Sequence, residues 1–309
     1  MYNHKEKIAV IGAGRIAYSL TNALVKSNFN IHSVYSLNKK SAKELAEKFG
    51  IKNYSNDLND ISEDVNIYFL TVPDNQILNV AFQFEKLDIN FNDKLFVHFS
   101  GALSSDELNV LKEKRAEIAS LHIMQSFPSK EVISFKNLTA AIETNNKKTE
   151  KFLFGLAEKI KLKPFKLFKE DKINYHLTGV YSSNFFVGNL FSANEIIDKN
   201  NSNYPNFDQL TLPIIKTTLS NIEQNGLDNS LSGPLQRGEV EVIKKHIEKL
   251  KASMNKNFNI EGKNIFLLNY ICQSITILKI LGNKKRGINQ SQKNILNLLI
   301  DEFNEITKD

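Results

Sequence analysis

One stretch decides the fold: Lys7-Ile8-Ala9-Val10-Ile11-Gly12-Ala13-Gly14-Arg15-Ile16-Ala17. It predicts a short apolar strand, a G-x-G-x-x-A turn and a helix that runs to Lys26. In such a turn the first glycine permits the sharp bend and the second lets the backbone approach a pyrophosphate. The amides at the helix N-terminus then face the anion. We therefore expect dinucleotide binding rather than an ordinary glycine turn, with contacts from Gly12, Ala13, Gly14, Arg15 and Ile16.

The second predicted strand, residues 30–35, ends without the Asp or Glu that would bind a ribose 2′-hydroxyl. Residues 36–40 are Ser-Leu-Asn-Lys-Lys. A hydroxyl, an amide and two lysines can hold a 2′-phosphate by charge-assisted hydrogen bonds, whereas a carboxylate would repel it. This favours NADP(H) over NAD(H). In the alternative, Lys39 and Lys40 only solvate the start of a helix at residues 41–49. The predicted contacts are Ser36, Asn38 and Lys39.

Composition limits the class of protein. The chain has 309 residues, enough for two domains, and a net charge of +6. Its lysines are spread along the chain and mixed with acids, which argues against nucleic-acid binding. The single cysteine, Cys272, excludes an internal disulfide and fits a reducing cytoplasm. The polar N-terminus leaves no room for a signal peptide, and the most apolar segment, residues 265–281, is too polar to span a bilayer.

The first half of the chain alternates strands and helices. Further strands are predicted at residues 52–54, 65–72, 94–99, 116–122, 138–142 and 165–168, with helices at 76–84, 105–114 and 148–160. This rhythm is typical of a parallel, doubly wound Rossmann sheet. Long amphipathic stretches follow at residues 173–199, 207–225, 240–251, 264–281 and 291–306. We therefore expect an α/β Rossmann domain at residues 1–169 and an all-helical domain at residues 170–309.

Ligands of open α/β sheets bind beyond the carboxyl ends of the strands, so those ends supply the next candidates. Val72 and Pro73 end the fourth strand, and Asp74 is placed to cap the helix that follows. At the end of the fifth strand, Ser100 and Gly101 can line a nicotinamide crevice, while Ser104 or Ser105 caps the next helix. His122 ends the sixth strand, either as a site residue or as a structural hydrogen-bonder.

Two further candidates come from the second half. His176 and Ser183 lie seven residues apart and share a helix face, with Asn184 about 80° round it. A buried histidine with such neighbours is either satisfied structurally or meets a substrate. Arg237, within Arg-Gly-Glu at an expected helix start, offers a guanidinium for a carboxylate. In the alternative it is a solvated surface arginine.

At this point the chain resembles a known family. The motifs are GAGRIA at residue 12, TVPDNQI at 71, HFSGALSSDEL at 98, SLHIMQSFP at 120, YHLTGVYSSNF at 175 and LSGPLQRGE at 231. Together they resemble bacterial Rossmann-like oxidoreductases, NADP- or deazaflavin-dependent, with a C-terminal helical domain of unknown function. Their architecture is similar to pyrroline-5-carboxylate reductase and the 6-phosphogluconate dehydrogenase-like group, whose C-terminal helices dimerise. The resemblance implies this fold over nearly the whole chain.

Two departures from the family pattern bear on the chemistry. Leu37 stands where members often carry an arginine, which weakens a 2′-phosphate clamp. The Lys-x-x-x-Asn pair of related hydroxyacid dehydrogenases has no counterpart, since Val180 lies four residues before Asn184. If Asn184 takes the family's asparagine position, the proton donor comes from elsewhere. His176 is the nearest titratable candidate and His122 the alternative, because histidine titrates near neutrality.

Two hypotheses of different classes follow. In the first, the protein is an NADP(H)-dependent reductase of a C=O or C=N group in a small, carboxylate-bearing metabolite. His176 or His122 donates the proton, Ser183 and Asn184 orient the reacting atom, and Arg237 holds the substrate anion. In the second, it is a non-catalytic NADP-binding sensor or scaffold. Either would be a homodimer through the apolar faces of residues 173–199 and 264–281. We expect no metal, and a deazaflavin coenzyme is the weaker alternative to NADP(H).

Overall fold

A computed structural model describes residues 6–197, 204–252, 259–284 and 287–308. The chain forms two compact units, Met1–Gly188 and Asn189–Asp309. The sequence placed a boundary at residues 169/170, before the helix Lys172–Gly179. That helix belongs to the first of these units, where the Lys172 ammonium donates to the carbonyl oxygen of Ser100 and to the hydroxyl of Ser120.

One eight-stranded sheet organises the first unit, in the order β3-β2-β1-β4-β5-β6-β7-β8. The strands are β1 Lys7–Ile11, β2 Asn30–Tyr35, β3 Asn53–Ser55, β4 Ile67–Leu70, β5 Leu95–His98, β6 Glu117–Ile123, β7 Thr139–Glu143 and β8 Lys163–Lys166. Described neighbours are parallel except β6 and β7. The chain between these two has no crossover helix, and a parallel return normally requires one. The Rossmann prediction is confirmed, with this one reversal.

Helices cover both faces of the sheet. They are α1 Arg15–Lys26, α2 Lys39–Lys48, α3 Asp74–Glu85, α4 Asn109–Glu113, α5 Lys147–Lys159 and α6 Lys172–Gly179. Successive strand residues point to opposite faces. Ile8 therefore joins a core cluster with Leu20 of α1 and Leu153 of α5, whereas Ala9 joins one with Phe84 of α3. Both faces are buried, as a parallel sheet requires, and its strand ends remain as the place for a site.

After α6 the chain continues through a π-helical turn, Val180–Asn184, into α7, Phe185–Ile196. The sequence predicted one helix through residue 199, of which residues 198 and 199 lie outside the described part. The helix bears exposed apolar side chains, among them Tyr181, Phe185 and Val187. No residue of α7 is buried.

The second unit is mainly helical. Its helices are α8 Phe207–Asn225, α9 Pro234–Arg237, α10 Val240–Ala252, α11 Ile265–Gly282 and α12 Gln290–Thr307. A short hairpin of β9 Asn259–Ile260 and β10 Lys263–Asn264 departs from the all-helical prediction. Its two turn residues, Glu261 and Gly262, both have positive φ, as a tight hairpin turn demands.

Helix α11 is long and apolar enough to cross a membrane by length and composition alone, with a mean hydropathy of 1.6. It instead packs with α10 and α12, through residues such as Ile271, Ile243 and Ile295. A core helix passes the same test. The apolar face predicted at residues 264–281 is therefore used, at least in part, inside this unit.

Candidate functional site

The glycine turn is held by backbone contacts. Gly12 has φ +107°, and a Cβ there would lie 2.8 Å from the carbonyl oxygen of Thr71. The Thr71 hydroxyl donates to the carbonyl oxygen of Gly12 at 2.8 Å. These contacts join the carboxyl ends of β1 and β4, so only glycine fits at position 12.

The second glycine meets much less of the protein. A Cβ on Gly14 would lie 3.5 Å from the Thr71 carbonyl oxygen, an ordinary contact. Gly14 is also the N-cap of α1, with no side-chain capping bond and no acidic residue in the first turn. The amides that begin α1, including those of Arg15 and Ile16, are therefore open to an anion. This arrangement fits a pyrophosphate.

A pocket lies beside this turn and is called the glycine-turn pocket below. It brings together the predicted residues Gly12, Ala13, Gly14, Ser36, Val72 and Pro73, with Tyr35, Leu37, Ser41, Thr71, Gln76, Val80 and Gln83. This lining contains no carboxylate. That composition is compatible with a 2′-phosphate, as the sequence indicated.

The start of α2 holds the other predicted phosphate contacts. The side chain of Asn38 is the N-cap of this helix and accepts a hydrogen bond from the Ser41 amide at 3.2 Å. Its amide oxygen therefore caps α2, a role that the sequence did not predict. Lys39 and Lys40 are the first two residues of α2 and are exposed. Their role in binding a 2′-phosphate stays a prediction.

Asp74 and Ser100 form a structural pair. The Ser100 hydroxyl donates to the Asp74 carboxylate at 2.6 Å and accepts from the amides of Ala102 and Leu103. Asp74 is the first residue of α3 and Pro73 is its N-cap, so the predicted capping role of Asp74 is wrong. Ser104 makes no side-chain cap either. The Ser100 hydroxyl thereby holds the turn that contains Gly101, and the role of Ser100 beside the nicotinamide stays a prediction.

His98 fixes the same turn from inside the sheet. Its Nδ1 accepts from the Ser100 amide at 3.2 Å, so its Nε2 carries the hydrogen and donates to the Ser104 carbonyl oxygen at 3.0 Å. Burial lowers the pKa of His98 to about 3. The ring is neutral at pH 7 and is a structural hydrogen-bonder.

Two imidazoles meet at Gly101. A Cβ there would lie 2.9 Å from Nε2 of His122 and 2.9 Å from Cδ2 of His176. The two rings also line one pocket, called the imidazole pocket below, with Met124, Gln125, Ser126, Gly179, Val180, Ser182, Ser183 and Asn184. The sequence proposed the two histidines as alternatives, and the structure places them side by side.

His122 is held as a neutral ring. Burial, and then the positive charge of Lys172, lower the pKa of His122 to about 4. Its Nδ1 lies 2.8 Å from the Tyr175 hydroxyl, whose own pKa burial raises to about 12. When Tyr175 donates to Nδ1, the ring carries its hydrogen on Nε2, beside Gly101. His122 can therefore donate a hydrogen bond as a neutral ring at pH 7, and its role as the alternative proton donor stays a prediction.

The π-helical turn supplies part of the lining of the imidazole pocket. Three consecutive residues, Ser182, Ser183 and Asn184, all line it. In an α-helix three consecutive side chains span about 200°, so they would not face one pocket. The wider π turn reduces that spread, and such turns are frequent at functional sites. The sequence predicted Ser183 and Asn184 near His176, but it did not predict the π turn.

Lys172 is the buried group that sequence reasoning missed. It begins α6, has 1% of its surface exposed, and donates to the Ser120 hydroxyl at 2.7 Å and the Ser100 carbonyl oxygen at 3.2 Å. Burial lowers its pKa to about 8. One signal was present: Lys172 precedes His176 by four residues, the spacing of one helix face. The family pattern, applied to Asn184, points instead to Val180, which carries no titratable group.

Arg237 belongs to the second unit. It is the last residue of α9, and Gly238 and Glu239 lead from it directly into the start of α10 at Val240, so a helix N-terminus does follow the Arg-Gly-Glu segment as predicted. Its guanidinium is exposed and pairs with the Glu239 carboxylate through two hydrogen bonds, of 2.6 and 3.1 Å. Its role as a substrate anchor stays a prediction. Within the described residues, no group of three or more His, Cys, Asp or Glu side chains could hold a metal ion.

Two family models match separate parts of the chain. Residues 7–99 match the model described as "NADP oxidoreductase coenzyme F420-dependent", and residues 138–265 match a domain of unknown function, DUF2520. Each match covers less than half of the chain. The two matches together confirm the resemblance seen in the sequence. No curated protein matches the chain.

Solved structures extend the comparison over most of the length. The protein BF3122 of Bacteroides fragilis, provisionally an NADP oxidoreductase, is 26% identical with a TM-score of 0.71, over 89% of this chain and 98% of that one. A reductive aminase of Aspergillus terreus, in complex with NADPH and ethyl levulinate, is 10% identical with a TM-score of 0.61, over 97% and 99%. Pyrroline-5-carboxylate reductase of Coxiella burnetii is 13% identical with a TM-score of 0.53, over 99% and 100%. The last two show a shared fold.

Proposed function

We propose that this protein is an NADP(H)-dependent reductase of a C=O or C=N group in a small metabolite. One observation carries the proposal: the imidazole pocket, with its two histidines against Gly101, lies at the carboxyl ends of β5 and β6, where open α/β sheets bind ligands. The glycine-turn pocket lies beyond β1 and β4 in the same unit. The fold and the family match support the same class of reaction.

The bound nicotinamide supplies the hydride, and the protein positions the substrate and moves the proton. The glycine turn and the open start of α1 bind the pyrophosphate, while the carboxylate-free edge of β2 selects the 2′-phosphate. His176 donates the proton to the reduced oxygen or nitrogen. His122 donates a hydrogen bond to the same group as a neutral ring. Ser183 and Asn184 orient the substrate from the π turn.

The substrate is proposed to carry a carboxylate that Arg237 binds. Two of the five guanidinium N–H groups are used on Glu239, so others remain for a second anion. The single cysteine fits a reducing cytoplasm as the place of the reaction.

A substrate panel tests the reaction class. Purified protein with NADPH is offered pyrroline-5-carboxylate, other cyclic imines, 2-oxo acids, and ethyl levulinate with and without an amine, and NADPH oxidation is followed by absorbance. We expect turnover of at least one carboxylate-bearing compound. Reduced coenzyme F420 replaces NADPH in a parallel set. NADPH binding without any turnover would contradict the proposal and favour a sensor or scaffold.

The variant Gly14→Asp tests whether the glycine turn binds the cofactor. It places a carboxylate at the open start of α1, where the protein itself leaves room for a side chain. The fold should persist by circular dichroism, while NADPH binding, measured by the cofactor's fluorescence, should be lost. Retained NADPH binding would exclude the glycine turn as the site.

We also propose a homodimer through the helices that follow the Rossmann domain. Helix α8 contains no buried residue, and Leu210, Leu212, Ile214 and Leu219 on it are exposed. Such a face is unusual on a monomer. Light scattering at micromolar concentration should give twice the chain mass, and Ile214→Glu should give the monomer. Leu78→Glu, at an exposed apolar position of α3, is the control and should leave the dimer intact.

A further inference from the structure

Lys172 is an unusual side chain for a protein core. It is almost fully buried at the first position of α6, and its ammonium makes two hydrogen bonds, to Ser120 and to the Ser100 carbonyl. Removing an ammonium from water costs several kcal/mol, on the order of what a pair of good contacts returns. A neutral donor could make the same two bonds, so the positive charge itself calls for an explanation.

The Lys172 ammonium is linked to a buried carboxylate through the hydroxyl of Ser120. The Ser120 hydroxyl, on β6, donates to the Glu143 carboxylate on β7 at 3.1 Å. Glu143 also accepts from the amide and hydroxyl of Ser105, both at 2.7 Å. Lys172, Ser120 and Glu143 therefore form a buried network across the antiparallel pair of strands. Such a network is rigid when all its members are satisfied.

The network holds the turn that carries Gly101. The Lys172 ammonium donates to the carbonyl oxygen of Ser100, which belongs to the peptide group that joins Ser100 to Gly101. Gly101 itself lies close to the His122 and His176 rings. A shift of this turn would therefore move Gly101 relative to both imidazole rings.

The same ammonium acts on the neighbouring titratable groups. Those that interact with it electrostatically are Glu143 on β7, Asp74 on α3, His98 at the end of β5 and His122 on β6. The two carboxylates favour the charged ammonium, and the ammonium in turn disfavours a second positive charge on either histidine.

We propose that Lys172 is a positioning residue of the imidazole pocket: its ammonium fixes the Ser100–Gly101 turn against the His122 and His176 rings. It acts through these groups and does not contact the reacting atoms. The consequence for catalysis rests on the proposed function, but the consequence for His122 does not.

Lys172→Met tests this, because methionine keeps the length of the chain and removes the charge and the donors. Histidine titrations followed by NMR should show the pKa of His122 rising by about one unit or more. Lys169→Met is the matched control. Lys169 lies three residues earlier, is exposed and pairs with Asp106, so its loss should leave His122 unchanged.

A second variant guards against misfolding. Lys172→Met combined with Glu143→Gln leaves no unbalanced buried charge and keeps an acceptor for Ser105, and it too should show the raised pKa of His122. An unchanged His122 titration in the folded double variant would overturn the proposal. With a substrate from the panel, kcat should fall while NADPH affinity is retained. If no substrate is found, the proposed function fails, and the titration still decides the role of Lys172.

Discussion

Two glycines of the first unit lie in close contacts of different kinds. Gly12 approaches the backbone carbonyl of Thr71, and its φ of +107° excludes other residues on local grounds. Gly101 approaches two side chains, His122 and His176, that come from distant parts of the chain. The first contact belongs to a short motif and is visible in the sequence. The second exists only after the strands and α6 have assembled, so no local pattern marks it.

The largest expected effect is on catalysis and concerns the region of Gly101, while the region of Gly12 should be unaffected. His176→Ala should lower kcat by about 10²–10⁴-fold with little change in KM, because proton transfer contributes about that much to a rate. NADPH binding at the glycine turn should be unchanged. The measurement is steady-state kinetics with the best substrate of the panel.

The control for this variant is a histidine outside the imidazole pocket. His246, on α10, is exposed and lies 3.0 Å from the Tyr270 hydroxyl through Nδ1. His246→Ala should leave kcat unchanged. An equal loss in both variants, or full activity of His176→Ala, would exclude His176 as the proton donor.

The next effect concerns stability in acid and comes from the Gly101 region alone. The pKa values of His98 and His122 are lowered from 6.5 to about 3 and about 4. Below pH 6.5 the unfolded chain binds protons that the folded chain excludes, so folding stability falls as the pH falls. From pH 7 to pH 5 we expect each histidine to cost about 2 kcal/mol of unfolding free energy.

Urea unfolding at the two pH values measures this loss. His122→Gln should remove about half of the part that the two histidines contribute. Equal acid sensitivity of His122→Gln and the parent chain would show that His122 takes up its proton in the folded state.

This contrast also explains what the sequence could predict. The turn from Gly12 to Ala17 and the alternation of strands and helices depend on short-range patterns, and the Rossmann prediction built on them is confirmed. The grouping of His176 with Ser183 and Asn184 was found from helical spacing, and these residues do line one pocket.

The parts that were missed depend on partners far away in the chain. Lys172 reads as a surface lysine until Ser120 and Glu143 are brought to it by β6 and β7. Helical periodicity cannot predict the π turn at Val180–Asn184, because it assumes 3.6 residues per turn. The Asp74 carboxylate was expected at a helix cap, but Ser100, a neighbour only in the folded sheet, donates to it.

A smaller effect tests the two glycines directly. Gly12→Ala should lower the unfolding free energy by about 1–3 kcal/mol from backbone strain alone, since both φ and the Thr71 carbonyl oppose a side chain. Gly101→Ala meets rings that can rotate, so it should cost less stability but displace His122 and His176 and lower kcat.

Gly155→Ala is the control for both glycine variants. Gly155 lies in α5 with open space around its Cβ position, so alanine there should stabilise the chain by about 0.5–1 kcal/mol. Thermal unfolding orders the three variants. A larger stability loss from Gly101→Ala than from Gly12→Ala would mean that the imidazoles are as rigid as backbone.

The smallest effect concerns only the glycine-turn region and its choice of cofactor. With no carboxylate in the pocket lining and two exposed lysines at the start of α2, NADPH should bind about tenfold tighter than NADH, equal to about 1.4 kcal/mol. Lys39→Ala should weaken NADPH and leave NADH unchanged, because only NADPH carries the 2′-phosphate. Lys43→Ala, on the same helix but paired with Glu47, is the control and should alter neither. Fluorescence titration decides: if Lys39→Ala weakens both cofactors equally, the lysine acts as a general positive charge and the preference must arise from Ser36 or from the open amides of α2.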